Sequence, residues 1–191
     1  MQAARAQQTR EKILEAAESL FCGRGIHSVG VDEVVATSGV AKMTLYKHFA
    51  SKDLLIAAVV ARRAAAFEAW FAAEVQHRAT DPVGRLLACF DAYAAWFEAP
   101  EFRGCPFINV AAELADPAHP AREAAATHKR AMLELLTQLS KNAHIQNPRQ
   151  LAEQWLLLLD GAAAEAMLWQ SPLPATRASQ IARALLDHVT T

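Results

Sequence analysis

The sequence lacks the features of several protein classes. Its 191 residues contain no apolar run long enough to span a membrane, the longest being Leu54–Ala61 and Trp155–Leu159 with its neighbours. The first residues, Met-Gln-Ala-Ala-Arg, carry no apolar signal segment, so nothing suggests secretion. Cysteine is scarce, and the three present, Cys22, Cys89 and Cys105, are far apart. An odd number of scattered cysteines fits a reducing cytoplasm better than a disulfide framework, so we expect a cytoplasmic protein without a membrane partner.

Catalytic signatures are missing as well. We find no glycine-rich phosphate loop, no nucleophile elbow and no paired Cys or His residues at metal-ligand spacing. His119 and Glu123 stand four residues apart, but a lone pair of this kind is typical of a solvated helix start. We therefore predict that the protein is not an enzyme and uses neither a cofactor nor a metal. A redox role for Cys22 or Cys105 stays open. Neither has a resolving partner in sequence, so we favour the interpretation that each is simply a small buried side chain.

The charge of the chain is small but unevenly distributed. The sequence has 19 Lys and Arg against 20 Asp and Glu, a net charge of −1. Residues 1–52 hold seven basic and five acidic residues, a net charge of +2, whereas residues 53–191 hold twelve and fifteen, a net charge of −3, and these sum to −1. A small basic head on an acidic body is what a localised contact with DNA requires.

Helix-forming residues and helix boundaries dominate the chain. Alanine is abundant, hydrophobic residues make up 53% of the sequence, and no segment is a convincing strand. We therefore predict an all-α fold of about nine helices, preceded by a loose arm at residues 1–8. Thr9, Ser51, Asp81 and Asn147 are the predicted N-caps, and Pro follows the last two at the first helical position. The predicted helices cover residues 10–23, 31–37, 41–47, 52–77, 82–98, 106–115, 120–142 and 148–169, and a ninth follows Pro174.

The stretch from Gly39 to Phe49 has the pattern of the turn and second helix of a helix-turn-helix. Gly39 is suited to the positive φ of a tight corner between helices, and Val40, Leu45 and Phe49 are predicted to point inward. The residues left outward include two cations, a hydroxyl, a phenol and an imidazole but no acid: Lys42, Met43, Thr44, Tyr46, Lys47 and His48. Such a face suits a DNA groove, where phosphates attract cations and hydroxyl donors and base edges form hydrogen bonds.

Residues 9–55 resemble the DNA-binding domain of TetR/AcrR-type transcriptional regulators. The resemblance rests on Thr-Arg-Glu-Lys-Ile-Leu-Glu-Ala-Ala at 9–17 and on Gly39-Val40 followed by Thr-Leu-Tyr-x-His-Phe-x-x-Lys at 44–52. Gly-Cys-Pro-Phe-Ile-Asn at 104–109 also looks like a stretch in many AcrR-like members. The family implies phosphate contacts from Thr44, Tyr46, His48 and Lys52. Lys42, Met43 and Lys47 are then the candidate base-edge readers, with the alternative that both lysines only neutralise phosphate.

The head departs from the family pattern at two positions. Gly30 stands where a Ser or Thr N-cap is common, and Ala41 stands where Ser is frequent, so two expected hydroxyl contacts with phosphate are absent. Ser28 is a candidate substitute for the first. Asp32 and Glu33 suit the positive end of the second helix, yet they would repel phosphate if they faced it.

The resemblance divides the chain into a helix-turn-helix DNA-binding domain, residues 1–50, and a helical regulatory and dimerisation domain, residues 51–191. Aromatic residues at helical spacing are core residues first, but the resemblance implies that some enclose a small apolar or amphipathic ligand. The candidate pocket residues are Phe67, Trp70, Phe90, Tyr93, Trp96, Phe107, Asn109 and Trp155. The eighth helix is apolar nearly all round, which would let one side meet a partner subunit. The candidate dimer contacts there and on the ninth helix are Leu158, Ala162, Glu165, Trp169, Ile181 and Leu185.

Together with these features, the resemblance implies a homodimeric repressor that binds a palindrome-like DNA operator and is released by a small molecule. Two alternatives remain at this point. One is a DNA-binding regulator without a small ligand, controlled by its abundance or by a protein partner. The other is a ligand-binding or catalytic helical protein whose head has lost DNA binding. Gly30 and Ala41 favour this alternative, but Tyr46, Lys47, His48 and Lys52 argue against it.

Overall fold

The all-α prediction is confirmed. The computed structural model describes residues 2–189, with side chains from 3 to 187, and this part of the chain forms nine helices and no strand. In chain order they are α1 (Gln2–Arg24), α2 (Val31–Ser38), α3 (Lys42–His48), α4 (Lys52–Arg78), α5 (Pro82–Phe97), α6 (Pro106–Glu113), α7 (Pro120–Asn142), α8 (Pro148–Trp169) and α9 (Leu173–Val189). None of these helices, as far as residues 2–189 go, is long and apolar enough to cross a membrane.

Local residues set most helix ends, which is why α2 to α8 begin and end within two residues of the predicted positions. Asp81 Oδ1 accepts a hydrogen bond from the backbone N–H of Gly84 at 2.7 Å, ahead of Pro82 at the first position of α5. Ser51 Oγ accepts from the N–H of Leu54 at 3.2 Å at the start of α4. Asn147 is the N-cap of α8 ahead of Pro148, as predicted, but its side chain makes no capping hydrogen bond.

The expected loose arm is also wrong for residues 2–8, which extend α1 by two turns. The segment contains Ala, Gln and Arg and neither Gly nor Pro, so its intrinsic preference is already helical. Thr9 is therefore inside the helix rather than at its N-cap, and its hydroxyl donates to the carbonyl of Arg5 at 2.9 Å. Met1 lies outside the described residues.

The chain forms two compact units that are not continuous in sequence. Unit 1 comprises the residues up to Ala64 together with Pro106–Thr127, and unit 2 comprises Ala65–Cys105 together with the residues from His128 onward. Helices α4 and α7 therefore each contribute to both units. The division between residues 50 and 51 concerns function and stays a prediction.

Each unit has its own apolar core. In unit 1 the helices α1, α2 and α3 pack against one another around side chains that recur at helical spacing: Ile13, Leu14, Ala17, Val34, Leu45 and Phe49, all at most 4% exposed. In unit 2 the helices α5, α8 and α9 pack together. Trp155 lies at their centre, fully buried, and its indole N–H donates to the carbonyl of Leu86 at 2.9 Å. A buried indole needs such a partner, so this residue orients α8 against α5.

Candidate nucleic-acid interface

The corner between α2 and α3 is built as the sequence predicts. Gly39 has φ +66°, and its N–H donates to the carbonyl of Val35 at 3.1 Å, closing α2. A positive φ costs glycine nothing, because it has no Cβ to clash with the neighbouring carbonyl. Leu45 and Phe49 then point into the core of unit 1 and hold α3 in place, while Val40 is half-buried.

The opposite side of α3 faces away from the core. Met43 is 72% exposed and Tyr46 41% exposed, Lys42 and Lys47 are exposed, and Thr44 and His48 are half-buried. The structure therefore places six of the seven predicted contact residues on one short helix with a solvent-facing surface, and the seventh, Lys52, begins α4. This surface has the size and chemistry of a recognition helix, since it combines cations, hydrogen-bond donors and one flexible apolar side chain.

The acidic residues beside this surface are paired with cations. Lys42 Nζ lies 2.6 Å from Asp32 Oδ1, and the pKa of Lys42 is raised chiefly by this hydrogen bond. Glu33 Oε1 accepts from the N–H of Gly30 at 3.0 Å, and its other oxygen binds Arg24. The pKa of Glu33 is lowered, first by the Gly30 hydrogen bond and then by Arg24. Asp32 and Glu33 thus each meet a cation, which reduces the repulsion of phosphate that their sequence positions suggested.

Gly30 is the N-cap of α2 without a side-chain cap. The Glu33 carboxylate accepts from the Gly30 N–H, and the Glu33 N–H, which a capping hydroxyl would accept from, donates to the Gly30 carbonyl at 3.2 Å. The Ser28 hydroxyl donates to the carbonyl of Arg24, with the carbonyl of Gly25 at 3.2 Å, and its contact with phosphate stays a prediction. Lys52 lies in the first turn of α4 and donates one hydrogen bond to the carbonyl of Ile26 at 2.8 Å. An ammonium group has three donors, so two remain for phosphate.

Two family models cover most of the chain. Residues 13–59 match the model described as bacterial regulatory proteins, tetR family, and residues 82–182 match the model described as tetracyclin repressor-like, C-terminal domain. The chain belongs to the TetR family. The resemblance stated from the sequence is confirmed, and this TetR-family member is a DNA-binding transcriptional regulator.

Individual relatives agree with this assignment. A TetR-family transcriptional regulator from Streptomyces coelicolor, SCO4454, is 30% identical over 97% of both chains, with a TM-score of 0.86. The HTH-type transcriptional repressor NemR of Escherichia coli is 28% identical over 135 residues, which are 70% of this chain and 68% of that protein. The HTH-type transcriptional activator FasR of Mycolicibacterium smegmatis is 45% identical, but only over 53 residues, or 28% of this chain and 24% of that protein.

The predicted pocket residues of this TetR-family regulator fall into separate groups. In unit 2 the ring of Phe67 lies 5.5 Å from Trp70, 6.0 Å from Tyr93 and 4.9 Å from Trp96, measured between centroids. Phe90 and Trp155 form a second, fully buried pair at 5.8 Å, which is core. Phe107 and Asn109 belong to unit 1. The Phe67 group is the better pocket candidate because Phe67, Trp70 and Trp96 are only half-buried.

Sequence reasoning missed a polar pair beside the Phe67 group. His128 is 2% exposed, its ring centroid lies 5.7 Å from that of Phe67, and its Nδ1 lies 2.8 Å from Glu68 Oε1. Burial lowers the pKa of His128, and the hydrogen bond to Glu68 opposes that shift. Lys129 also pairs with Asp160 on α8. The sequence signal was weak, since the two pairs join residues 60 and 31 positions apart.

An exposed apolar surface runs along α8 and α9 in unit 2. Leu157 (75% exposed), Gly161, Ala164 and Leu168 (66%) share one face of α8 at intervals of four, three and four residues. Trp169, Leu173 and Ile181 add further exposed apolar area. We call these seven residues the α8–α9 face. Of the predicted dimer contacts, Glu165, Trp169 and Ile181 are exposed, Leu158 and Leu185 are half-buried, and Ala162 is buried within its own chain, where it cannot contribute to an exposed face.

The three cysteines differ in their surroundings. Cys89 and Cys105 are buried. Cys22 lies beside Arg63, whose Nη1 is 3.0 Å from its sulfur, yet the pKa of Cys22 is raised because burial outweighs the guanidinium. Among the described side chains, residues 3–187, no three of His, Cys, Asp or Glu are grouped so that they could hold a metal ion.

Proposed function

We propose that this regulator is a repressor that binds a palindrome-like operator as a homodimer and is released by a small apolar or amphipathic molecule. The outward side of α3 carries the proposal, because it presents Lys42, Met43, Thr44, Tyr46, Lys47 and His48 without an acidic side chain among them. Thr44, Tyr46, His48 and Lys52 are assigned to phosphate, and Lys42, Met43 and Lys47 to base edges.

The α8–α9 face supports the dimer. Monomeric proteins rarely expose a contiguous apolar surface of this kind, and a second copy would bury it. A symmetric pair places two α3 helices in successive major grooves roughly 34–36 Å apart, which is why a palindrome-like operator is expected.

The repressor role is supported by the extent of the resemblance to NemR, a protein named a repressor. That match spans 135 residues, whereas the match to the activator FasR spans 53. The 53-residue match to FasR is too short to cover both the DNA-binding domain and the proposed regulatory domain.

The half-buried Phe67 group and the neighbouring Glu68–His128 pair support the small-molecule ligand. Aromatic walls with a few placed polar groups are typical of small-molecule sites. The ligand would favour a conformation whose heads no longer match the groove spacing, with α4 as the proposed lever. A coupling of about 5–150-fold in DNA affinity is usual for such linkage.

The deciding experiment selects duplexes from a random-sequence library with the purified protein at low salt. We expect enrichment of an inverted repeat, and loss of that enrichment with Tyr46→Ala and Lys47→Ala. Lys141→Ala is the matched control for Lys47→Ala, because it removes an exposed lysine from the last turn of α7. Enrichment of a single half-site would contradict the dimer. Failure to enrich any sequence at any salt concentration would contradict the operator.

The selected duplex then tests the ligand. A panel of small apolar and amphipathic compounds is screened for release of the protein from this duplex. A compound that lowers affinity by more than fivefold supports the ligand-responsive repressor. If none does, the alternative of a regulator controlled by abundance or by a protein partner is favoured.

A further inference from the structure

A carboxylate far along the chain holds the first loop of the head. Glu113 is the last residue of α6, and its Oε2 accepts a hydrogen bond from the backbone N–H of Ile26 at 2.8 Å. The Nε2–H of His27 donates to the main-chain carbonyl of the same Glu113, also at 2.8 Å. All three residues belong to unit 1. We propose that Glu113 is a positioning residue for DNA binding, which it supports by fixing the loop between α1 and α2.

The Glu113 carboxylate lies close to the backbone of the loop, beside a glycine with a positive φ. Gly25 opens the loop with φ +82°, and a Cβ at this position would lie 3.4 Å from Glu113 Oε2. The side chains of Ile26 and Val29 are buried, so the loop is anchored by two apolar side chains in addition to the polar contact. Val31 then begins α2, which packs against the recognition helix α3.

Ile26 connects Glu113 to a predicted DNA contact. The N–H of Ile26 donates to Glu113, and its carbonyl accepts from Lys52 Nζ at 2.8 Å. Both polar groups of one residue are therefore held by side chains of opposite charge. If the carboxylate is removed, a partly buried N–H loses its partner, and the loop whose Ile26 carbonyl binds the Lys52 ammonium loses one of its attachments.

The structure also holds Glu113 itself in place. Arg122 Nη1 donates to the carbonyls of Ala111 and Leu114 at 2.7 Å each, which joins the first turn of α7 to the end of α6. His119 accepts from the N–H of Ala121 through Nδ1 and lies 3.3 Å from Asp53 through Nε2, at the first turn of α4. Residues 106–127 therefore contact the rest of unit 1 at two places, the α1–α2 loop and the first turn of α4.

The direction in which DNA affinity changes distinguishes a positioning role for Glu113 from a purely electrostatic effect of its charge. A negative charge near the DNA-binding head repels phosphate, so its removal alone would strengthen binding. The positioning role predicts the reverse for Glu113→Ala, which removes the acceptor. Glu113→Gln removes the same charge but keeps a carbonyl oxygen that can accept from Ile26. Glu113→Asp keeps the charge but shortens the side chain by one methylene.

The test measures two quantities in the full-length protein. The first is the hydrogen-exchange rate of the Ile26 amide without DNA. The second is affinity for the duplex enriched by wild type and for a mixed-sequence 30-base-pair duplex. Glu113→Ala and Glu113→Asp are expected to accelerate exchange and to weaken binding to the enriched duplex about tenfold, the loss typical of a hydrogen bond to a charged group. Glu113→Gln should stay within about twofold of wild type in both.

Glu101→Ala is the control, because Glu101 is exposed and its removal changes the net charge equally. Circular dichroism identifies any variant that fails to fold, and Glu113→Asp then carries the test if Glu113→Ala is lost. Binding by Glu113→Asp as tight as wild type would overturn the proposal, and so would equal losses in Glu113→Gln and Glu113→Ala. The proposal rests on the proposed DNA-binding function, whereas the hydrogen-exchange rate of the Ile26 amide is measured without DNA and does not depend on that function. If wild type enriches no duplex, the proposed function fails, and accelerated exchange in Glu113→Ala would still establish the contact itself.

Discussion

At the scale of the residue, the direction in which a helical side chain points decides whether it packs in the core or faces solvent. Met43 and Leu45 stand two positions apart on α3, yet Met43 is 72% exposed and Leu45 fully buried. A helix turns about 100° per residue, so neighbours at this spacing point to different sides. Their roles can therefore be separated by substitution.

We expect Leu45→Ala to lower the free energy of unfolding by about 2–5 kcal/mol, because it leaves a cavity in the core of unit 1. Met43→Ala should change it by less than about 0.5 kcal/mol, since it removes only exposed surface. Urea denaturation followed by circular dichroism measures both. Similar losses in the two variants would show that the assignment of the two sides of α3 is wrong.

His128 gives a prediction about pH. Burial lowers its pKa in the folded protein, with the Glu68 hydrogen bond and the Asp160 charge acting in the opposite direction and Lys129 in the same direction. The unfolded chain, with a histidine pKa of about 6.5, therefore binds more protons below that pH. Stability should fall as the pH drops below about 6.5, towards the lower folded pKa.

Replacing His128 with Asn should weaken that dependence. Thermal unfolding at pH 7.5, 6.0 and 5.0 compares wild type with His128→Asn and with His77→Asn, in which an exposed histidine near the end of α4 is replaced. The control should follow wild type. Parallel pH profiles for all three proteins would mean that His128 does not set the acid sensitivity.

At the scale of the element, two helices begin with the same sequence signal but different geometry. Asp81-Pro82 and Asn147-Pro148 both combine a capping residue with Pro at the first helical position. Asp81 adopts extended backbone angles, φ −85° and ψ 150°, and its carboxylate reaches the N–H of Gly84. Asn147, at φ −118° and ψ 73°, does not make the equivalent bond. The backbone entering the helix therefore decides whether a cap forms.

Asp81→Ala should cost about 1 kcal/mol of stability, the usual cost of losing an N-cap. Asn147→Ala should cost only a few tenths of that, because no capping bond is lost. Asp81→Asn should retain most of the stability, since Asn also accepts from the backbone. Guanidinium titrations of the three variants provide the comparison. A loss at Asn147 equal to that at Asp81 would contradict the difference in geometry.

At the scale of the whole molecule, the α8–α9 face is the largest departure from the usual surface pattern. Leu157, Leu168, Trp169, Leu173 and Ile181 are each more than half exposed. The acid-free surface of α3 needs a twofold partner to read a palindrome, and this face is where a second copy would provide one.

Leu168→Asp should convert the proposed dimer to a monomer at micromolar concentration and weaken operator binding by about tenfold or more. A buried, unpaired carboxylate at the interface is the physical reason. Val83→Asp is the control, because Val83 is an exposed apolar residue of α5 outside this face. Sedimentation velocity measures the oligomeric state. If the Leu168→Asp variant stays dimeric while the Val83→Asp variant becomes monomeric, the dimer interface does not lie on the α8–α9 face.

Prediction from sequence succeeded where the physical cause lies within a few residues. The corner at Gly39, the core positions Leu45 and Phe49, and the start of α5 at Pro82 all depend on neighbours along the chain. Prediction failed at residues 2–8, where good helix formers continue α1. At Asn147 the N-cap position is as predicted, but the backbone angles entering α8 leave the side chain without a capping hydrogen bond.

The sequence by itself determined most helix bounds, the outward residues of α3 and the resemblance to the TetR family, because periodicity, capping residues and motif spacing are local. Only the tertiary structure placed Glu113 against Ile26, 87 residues away, and Glu68 against His128, 60 residues away. Such pairings depend on how helices pack, and any of many acidic residues could have supplied the partner. Packing also turned Ala162 inward and left Leu157 and Leu168 exposed on the same helix. On a helix that is apolar nearly all round, hydrophobicity alone cannot say which side meets the core.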